Sequence, residues 1–278
     1  MFGGLFLDNS RVRGRLKILY YALRSITSWK RWLSYPGQCV ICGEESRFYY
    51  FNVGFEAYGV DPFDETGFCI HCGSQNRNRA VVLSVLKFFF KGEYKSLASA
   101  EVTERQSIYI AAANGAVADA FRSSSNVYLS EYYEGVEPGE YIGGVLCQDL
   151  TRLTFGDNSI DLIISEHVME HVNDPSKAFS EVFRVLKPEG KYIFSVPFEG
   201  ADRSVMRLTA DFVELERKKY HKNPLRNDGS VVFTDFSQSD FIEKYLLPAG
   251  LLGQIVLMED KLHGVRQSSV VIATKPTT

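Results

Sequence analysis

Four of the chain's five cysteines fall into two C-x-x-C-G knuckles, Cys39-Val40-Ile41-Cys42-Gly43 and Cys69-Ile70-His71-Cys72-Gly73. A two-residue gap lets both thiolates of a knuckle face one ion, and the glycine after each pair allows the backbone to turn beneath it. Cys39, Cys42, Cys69 and Cys72 therefore make the ligand set of a closed tetrahedral Zn2+ site, structural in kind because no coordination position is left open. Disulfide pairing suits a small secreted scaffold rather than a chain of 278 residues, and a single redox C-x-x-C would leave the other pair unexplained. His71 lies inside a knuckle but four thiolates make it unnecessary. Cys147 reads as a small buried hydrophobe rather than a nucleophile.

A second group of reactive side chains lies in Ser165-Glu166-His167-Val168-Met169-Glu170-His171. On a helix, H-x-x-E-H would put two imidazoles on one face for zinc, with the glutamate as general base of a protease. The flanking pattern argues against that. Ile160, Leu162, Ile163 and Ile164 before it form the short apolar run of a strand buried on both faces, preceded by turn chemistry at Asp157-Asn158-Ser159. After it, Asp174 as N-cap and Pro175 at the first helical position open a helix whose Ala178, Phe179, Val182, Val185 and Leu186 share one face. Lys187-Pro188-Glu189-Gly190 stops it, and Tyr192 to Val196 resumes a buried strand. Residues Cys147 to Phe198 are thus a βαβ unit with polar groups at the carboxyl ends of its strands, where open α/β sheets bind ligands.

With these residues in view, the stretch resembles the class I S-adenosylmethionine-dependent methyltransferases of the type-11-like group. The motifs that carry the resemblance are Asp149, Leu153-Thr154-Phe155, Asp157, Ser159-Ile160-Asp161, His167-Val168-Met169-Glu170-His171 and Arg184-Val185-Leu186-Lys187-Pro188-Glu189-Gly190. The resemblance spans roughly residues 105 to 275. It implies an α/β fold, a Rossmann-like seven-stranded methyltransferase sheet, here with a small N-terminal zinc-ribbon module. Ser107–Ala111 is its first strand, Asn126–Ser130 its second, Gln254–Met258 its sixth and Ser269–Thr274 its seventh, the last antiparallel by resemblance. A helix spans Phe236 to Leu247.

The resemblance also implies S-adenosyl-L-methionine as cofactor and assigns site residues. The family's G-x-G-x-G loop falls on Ala112, Asn114 and Ala116, with one glycine displaced to Gly115; alanine and asparagine still permit a close backbone approach. Glu131 stands where a carboxylate accepts from both ribose hydroxyls, and Asp149 where the adenine amino group is bound, with Leu150 as backbone donor and apolar wall. Ser165, Glu166 and His167 line the sulfonium pocket, while Glu170 and His171 are expected to be structural. Methyl transfer is an in-line displacement at an activated carbon, so a base is needed only for an acceptor that must lose a proton. His167 and His221 are the candidate catalytic residues.

The expected domain order is a basic amphipathic segment (1–35), the zinc ribbon (36–80), a linking helix (81–104) and the methyltransferase domain (105–278), with a substrate-side insertion at 199–235. In that insertion Tyr220-His221-Lys222-Asn223-Pro224 and Asp228-Gly229 read as loop. Arg77 and Arg79, after the second knuckle, either contact an anion or pair with carboxylates and pin ribbon to domain. In the first segment Arg11, Arg13, Arg15, Lys17, Arg24, Lys30 and Arg31 face only Asp8, interleaved with apolar residues, so it can lie on its own protein, on a second subunit, on anionic membrane or on RNA. A net charge of −3 and a 45% hydrophobic share describe a globular chain without overall attraction to nucleic acid. No membrane span or signal peptide is evident, so a cytoplasmic, metal-binding transferase is expected. The acceptor is expected to be a small molecule or sugar-type intermediate; an RNA methyltransferase and a non-catalytic scaffold are the alternatives.

Overall fold

The computed structural model describes residues 33–51, 64–199, 202–223 and 226–277, together with 15–16, 18–20 and 22–23. The basic N-terminal segment therefore lies largely outside the described residues. The ribbon is a three-stranded antiparallel sheet of β1 (Leu33–Gln38), β2 (Glu45–Tyr50) and β3 (Phe68–Cys69). Each knuckle repeats one hydrogen-bond pattern: Gly43 N donates to Cys39 O and Gly73 N to Cys69 O, at 2.8 and 2.9 Å, with both glycines at positive φ. That turn is why a glycine follows each pair.

Helix α1 (Asn76–Ser84) starts directly after the second knuckle and widens into a π turn at Val85–Phe89. It begins five residues before the linking helix expected at 81–104, because Asn78 Oδ1 accepts from Gln75 N (2.7 Å) and satisfies a backbone donor of the first turn. Nor is it a mere link. Ala80, Val81, Val82 and Val85 are buried in one core with Ile108, Ile110, Leu162, Ile164, Ile193 and Ile272. The boundary expected at residue 105 therefore runs through a shared core.

The central sheet is built from β4 (Ile108–Ile110), β5 (Val127–Glu131), β6 (Tyr141–Ile142), β7 (Val145–Cys147), β8 (Ile160–Glu166), β9 (Leu186–Ser195), β14 (Leu252–Asp260) and β15 (Val265–Thr274), with α2 (Ala116–Phe121) after β4 and α3 (Pro175–Val185) after β8. The intervening short strands β10 (Val205–Met206), β11 (Tyr220–Asn223), β12 (Arg226–Val231) and β13 (Thr234–Asp235) belong to the insertion. Strand order is β14-β15-β9-β8-β4-β5-β7-β6. The β4–β5, β5–β7, β4–β8 and β8–β9 pairs are parallel, and β15 runs antiparallel to both β9 and β14. The seven expected strands are all present, with the two-residue β6 added as an eighth at the edge.

Period-2 alternation distributes the core over both faces. Ile108, Ile110, Leu162, Ile164 and Ile193 point to the α1 side, while Tyr109, Ile163, Tyr192 and Phe194 join Ala178, Phe179, Val182 and Val185 of α3 on the other. Helix α3 starts as its sequence reads: Asp174 Oδ1 accepts from Lys177 N at 3.0 Å and Pro175 takes the first helical position.

The parts of the insertion expected as loop, around Tyr220–Asn223 and Asp228-Gly229, are strand. β10 pairs with β13 and β11 with β12 as antiparallel ribbons, anchored by Ser204 on Asp240 and by Arg207 on Asp235. Backbone pairing satisfies polar groups that composition alone assigned to coil. Pro224 lies outside the described residues.

Candidate functional site

The chain leaves β4 toward β5 on one side, then returns to lay β8 on the other side of β4. This reversal is a topological switch point, and the place outside the carboxyl ends of β4 and β8 is where open α/β sheets form their ligand crevice. The loop 111–115 and Glu131 border it from one side, and residues 166–171 from the other.

Glu131 ends β5 half-buried, and its Oε1 accepts from Ala113 N at 3.0 Å. Burial pushes its carboxyl up, opposed by hydrogen bonding from Ala113 and Asn114. A carboxylate in that state favours further donors. In the loop, Ala112 is half-buried and Asn114 and Gly115 are exposed. Gly115 has φ +111°, and a Cβ placed there would meet nothing within 4 Å, so the glycine serves backbone conformation and not close packing. Asp149 lies at the end of the neighbouring β7, its Oδ1 accepting from Thr151 N and Oγ1, both at 2.8 Å. Leu150 beside it is buried. The structure thus brings Ala112–Gly115 and Glu131 into one constellation, with Asp149 flanking it across β5 and β7.

The β8 side departs further from expectation. Ser165 is buried and its hydroxyl pairs with Tyr192 Oη at 2.6 Å, so the side chain belongs to the core and not to a pocket wall. Glu166 accepts from Asn78 Nδ2 of α1 at 2.7 Å. Burial raises its carboxyl as well. The ribbon-side helix therefore reaches the mouth of the crevice, which no sequence signal announced.

His167 has φ +53°, and its Nδ1 lies 3.4 Å from Glu65 Oε1, the same carboxylate that pairs with Arg77. Burial first, then the Arg77 charge, holds the His167 imidazole well below its ordinary range. The imidazole is therefore neutral at pH 7.

His221, from the insertion, packs against His171 and Glu170, the two residues expected to be structural. The His171 and His221 rings meet edge to face at 5.1 Å. Glu170 Oε1 stands 3.8 Å from His171 Nε2 and 3.8 Å from His221 Nδ1. Burial raises the Glu170 carboxyl to about 8 and lowers His221 to about 4, with His171 also lowered by burial. The H-x-x-E-H spacing was the available signal for Glu170 and His171; their partner His221 lies in the insertion.

In the ribbon, Cys39 and Cys72 Sγ are 3.7 Å apart and Cys42 and Cys69 Sγ 3.9 Å, with all five cysteines free. Zn–S bonds of about 2.3 Å in a tetrahedron put sulfurs ~3.8 Å apart. The four thiols thus already have the spacing of a Zn2+ cage, and His71 is not among them. Ser46 Oγ at 3.1 Å and His71 N at 3.4 Å from Cys69 Sγ supply outer hydrogen bonds.

Residues 111–194 match the methyltransferase domain family. A demethylmenaquinone methyltransferase from Renibacterium salmoninarum is 43% identical over 60 residues, 20% of this chain and 25% of the relative. A malonyl-[acyl-carrier protein] O-methyltransferase from Methylovorus sp. is 46% identical over 50 residues, 18% of this chain and 17% of the relative. The match spans about a quarter or less of these relatives' length. Among solved structures, a SAM-dependent methyltransferase from Methanosarcina mazei aligns at TM-score 0.38 and 15% identity, covering 64% of this chain and 95% of that one. Residues 111–194, from the loop after β4 into β9, are thus similar to the methyltransferase domain and lie on a Rossmann-like α/β sheet.

Proposed function

We propose that the chain is an S-adenosylmethionine-dependent methyltransferase acting on a small-molecule acceptor, with a Zn2+ ion in the Cys39, Cys42, Cys69 and Cys72 cage as a structural element. The observation that carries this reading is the Glu131 carboxylate, half-buried at the end of β5 and facing the backbone of the 111–115 loop. In this role Glu131 accepts from the ribose hydroxyls, the loop backbone carries the methionine end, and Asp149 with Leu150 holds the adenine edge. When bound, the cofactor supplies a methyl group made electrophilic by positive sulfur. The chain's own contribution is alignment and exclusion of water. His167, held neutral, accepts the proton of a hydroxyl or amine acceptor at its imidazole nitrogen.

A small acceptor is supported by the names of the two relatives and by the net charge of −3, which gives no broad attraction to RNA. Among the described residues no helix is long and apolar enough to cross a membrane. Glu131→Ala is expected to weaken S-adenosylhomocysteine binding about 10- to 100-fold, the loss of hydrogen bonds of roughly 1.5–3 kcal/mol to a charged group. Calorimetry on wild type and variant measures it. Equal affinity in the two proteins removes Glu131 from the site.

A further inference from the structure

We propose that Glu170, His171 and His221 form a second metal centre, with an open coordination position, for a first-row divalent ion such as Zn2+. Their ligand atoms lie within 4.8 Å of one another, and two imidazoles with one carboxylate are the donor set of catalytic zinc sites. Three protein ligands leave a further position for water or substrate, unlike the closed thiolate cage.

Three observations favour an ion over a plain hydrogen-bonded cluster. Glu170 is 1% exposed, yet neither carboxylate oxygen has a hydrogen-bond partner, and the same holds for His221 Nε2. A buried carboxyl left this way either holds a proton or meets a cation, and a divalent ion held also by two imidazoles displaces that proton. The neighbouring cations have carboxylates of their own, Arg77 in Glu65 and Lys219 in Glu199 and Asp235, and although the Arg77 Nε is left without a partner neither cation hydrogen-bonds Glu170. Finally, His171 Nδ1 lies 2.7 Å from Val231 O, so this nitrogen carries the proton and Nε2 presents its lone pair toward Glu170. A backbone carbonyl fixing the far nitrogen is how ligating histidines are oriented. Phe233 N donates to Glu170 O at 2.8 Å, tying the insertion that brings His221 to the turn that carries Glu170 and His171.

On the methyl-transfer reading, on which this role alone rests, the open position takes an acceptor oxygen and lowers its pKa beside His167. The test does not depend on that reading. The full chain is equilibrated with Zn2+, freed of excess, and its zinc is counted by mass spectrometry for wild type, His221→Ala and Glu170→Gln. Wild type is expected to hold one more ion per chain than either folded variant. Equal zinc in all three overturns the proposal. Should the variants fail to fold, Co2+ titration of wild type decides: uptake continuing after the thiolate charge-transfer bands saturate supports the centre, and uptake ending with them overturns it. Cofactor binding is measured separately, so loss of the metal centre and loss of the methyl-transfer reading are distinct results.

Discussion

Cys69→Ser is expected to unfold the ribbon and to produce the largest loss of stability of any single substitution in the chain. Cys69 is fully buried and occupies the last position of the two-residue β3, so the second knuckle has little else to hold it. Structural zinc contributes about 10–16 kcal/mol of apparent binding free energy in small modules, and that energy is folding energy. Serine keeps the size of the side chain while removing the soft ligand. The loss spreads beyond the ribbon, because Cys39, Val40, Ile41 and Phe48 belong to the same core as α1 and β4. Calorimetric melting with and without a strong chelator reads the effect: wild type melts lower when stripped of zinc, and the variant melts low in both. An unchanged melting profile after chelation contradicts the cage.

The second large effect is expected at Arg79, which is fully buried. Its guanidinium donates to Gly264 O at 2.6 Å, His263 O at 3.0 Å and Ser74 O at 2.7 Å, and lies over the Phe48 ring at 4.2 Å. Its hydrogen-bond partners are carbonyls and hydroxyls of the knuckle, β2 and the β14–β15 turn, not carboxylates. Of the two roles open to it, pinning is the one it has. Gly264 is part of the same joint: φ is +61° and a Cβ would fall 2.2 Å from the Phe48 ring. Arg79→Met retains the apolar stem but removes the guanidinium's charge-assisted hydrogen bonds to Ser74 O, His263 O and Gly264 O, each worth about 1.5–3 kcal/mol; Ser74 O keeps Cys69 N and Gly264 O keeps Tyr50 Oη as donors, so a loss of roughly 3–5 kcal/mol is expected. Lysine does not restore it, since one ammonium cannot reproduce the planar fork. Denaturant unfolding measures both variants, and a loss under ~1 kcal/mol for Arg79→Met refutes the joint.

Local signals were readable where side-chain periodicity and capping decide the structure. The run Ile160–Ile164, the Asp174-Pro175 start and the face of Phe179 and Val182 all lie in the elements they predict. The C-x-x-C-G spacing likewise placed four sulfurs together. What could not be read depends on partners distant in sequence. Residues 76–79 were expected in the ribbon, ahead of the linking helix, and Asn78 capping against Gln75 and Arg79 docking on Gly264 make them the first turn of that helix. The insertion is polar, so its β11–β12 pairing left no apolar alternation to detect. Ser165 appeared as a pocket residue until Tyr192, on the adjacent strand, took its hydroxyl. Glu170 and His171 had a metal-binding spacing in the sequence, but their third member, His221, is supplied by tertiary packing alone.

Methyl transfer by this chain requires that the cofactor bind at the carboxyl ends of β4, β5 and β8. Isothermal titration of S-adenosylmethionine into the folded wild-type chain measures this without knowledge of the acceptor. A saturable one-site heat that weakens in Glu131→Ala is the predicted result. A folded, zinc-loaded chain that gives no binding heat at millimolar ligand would contradict it.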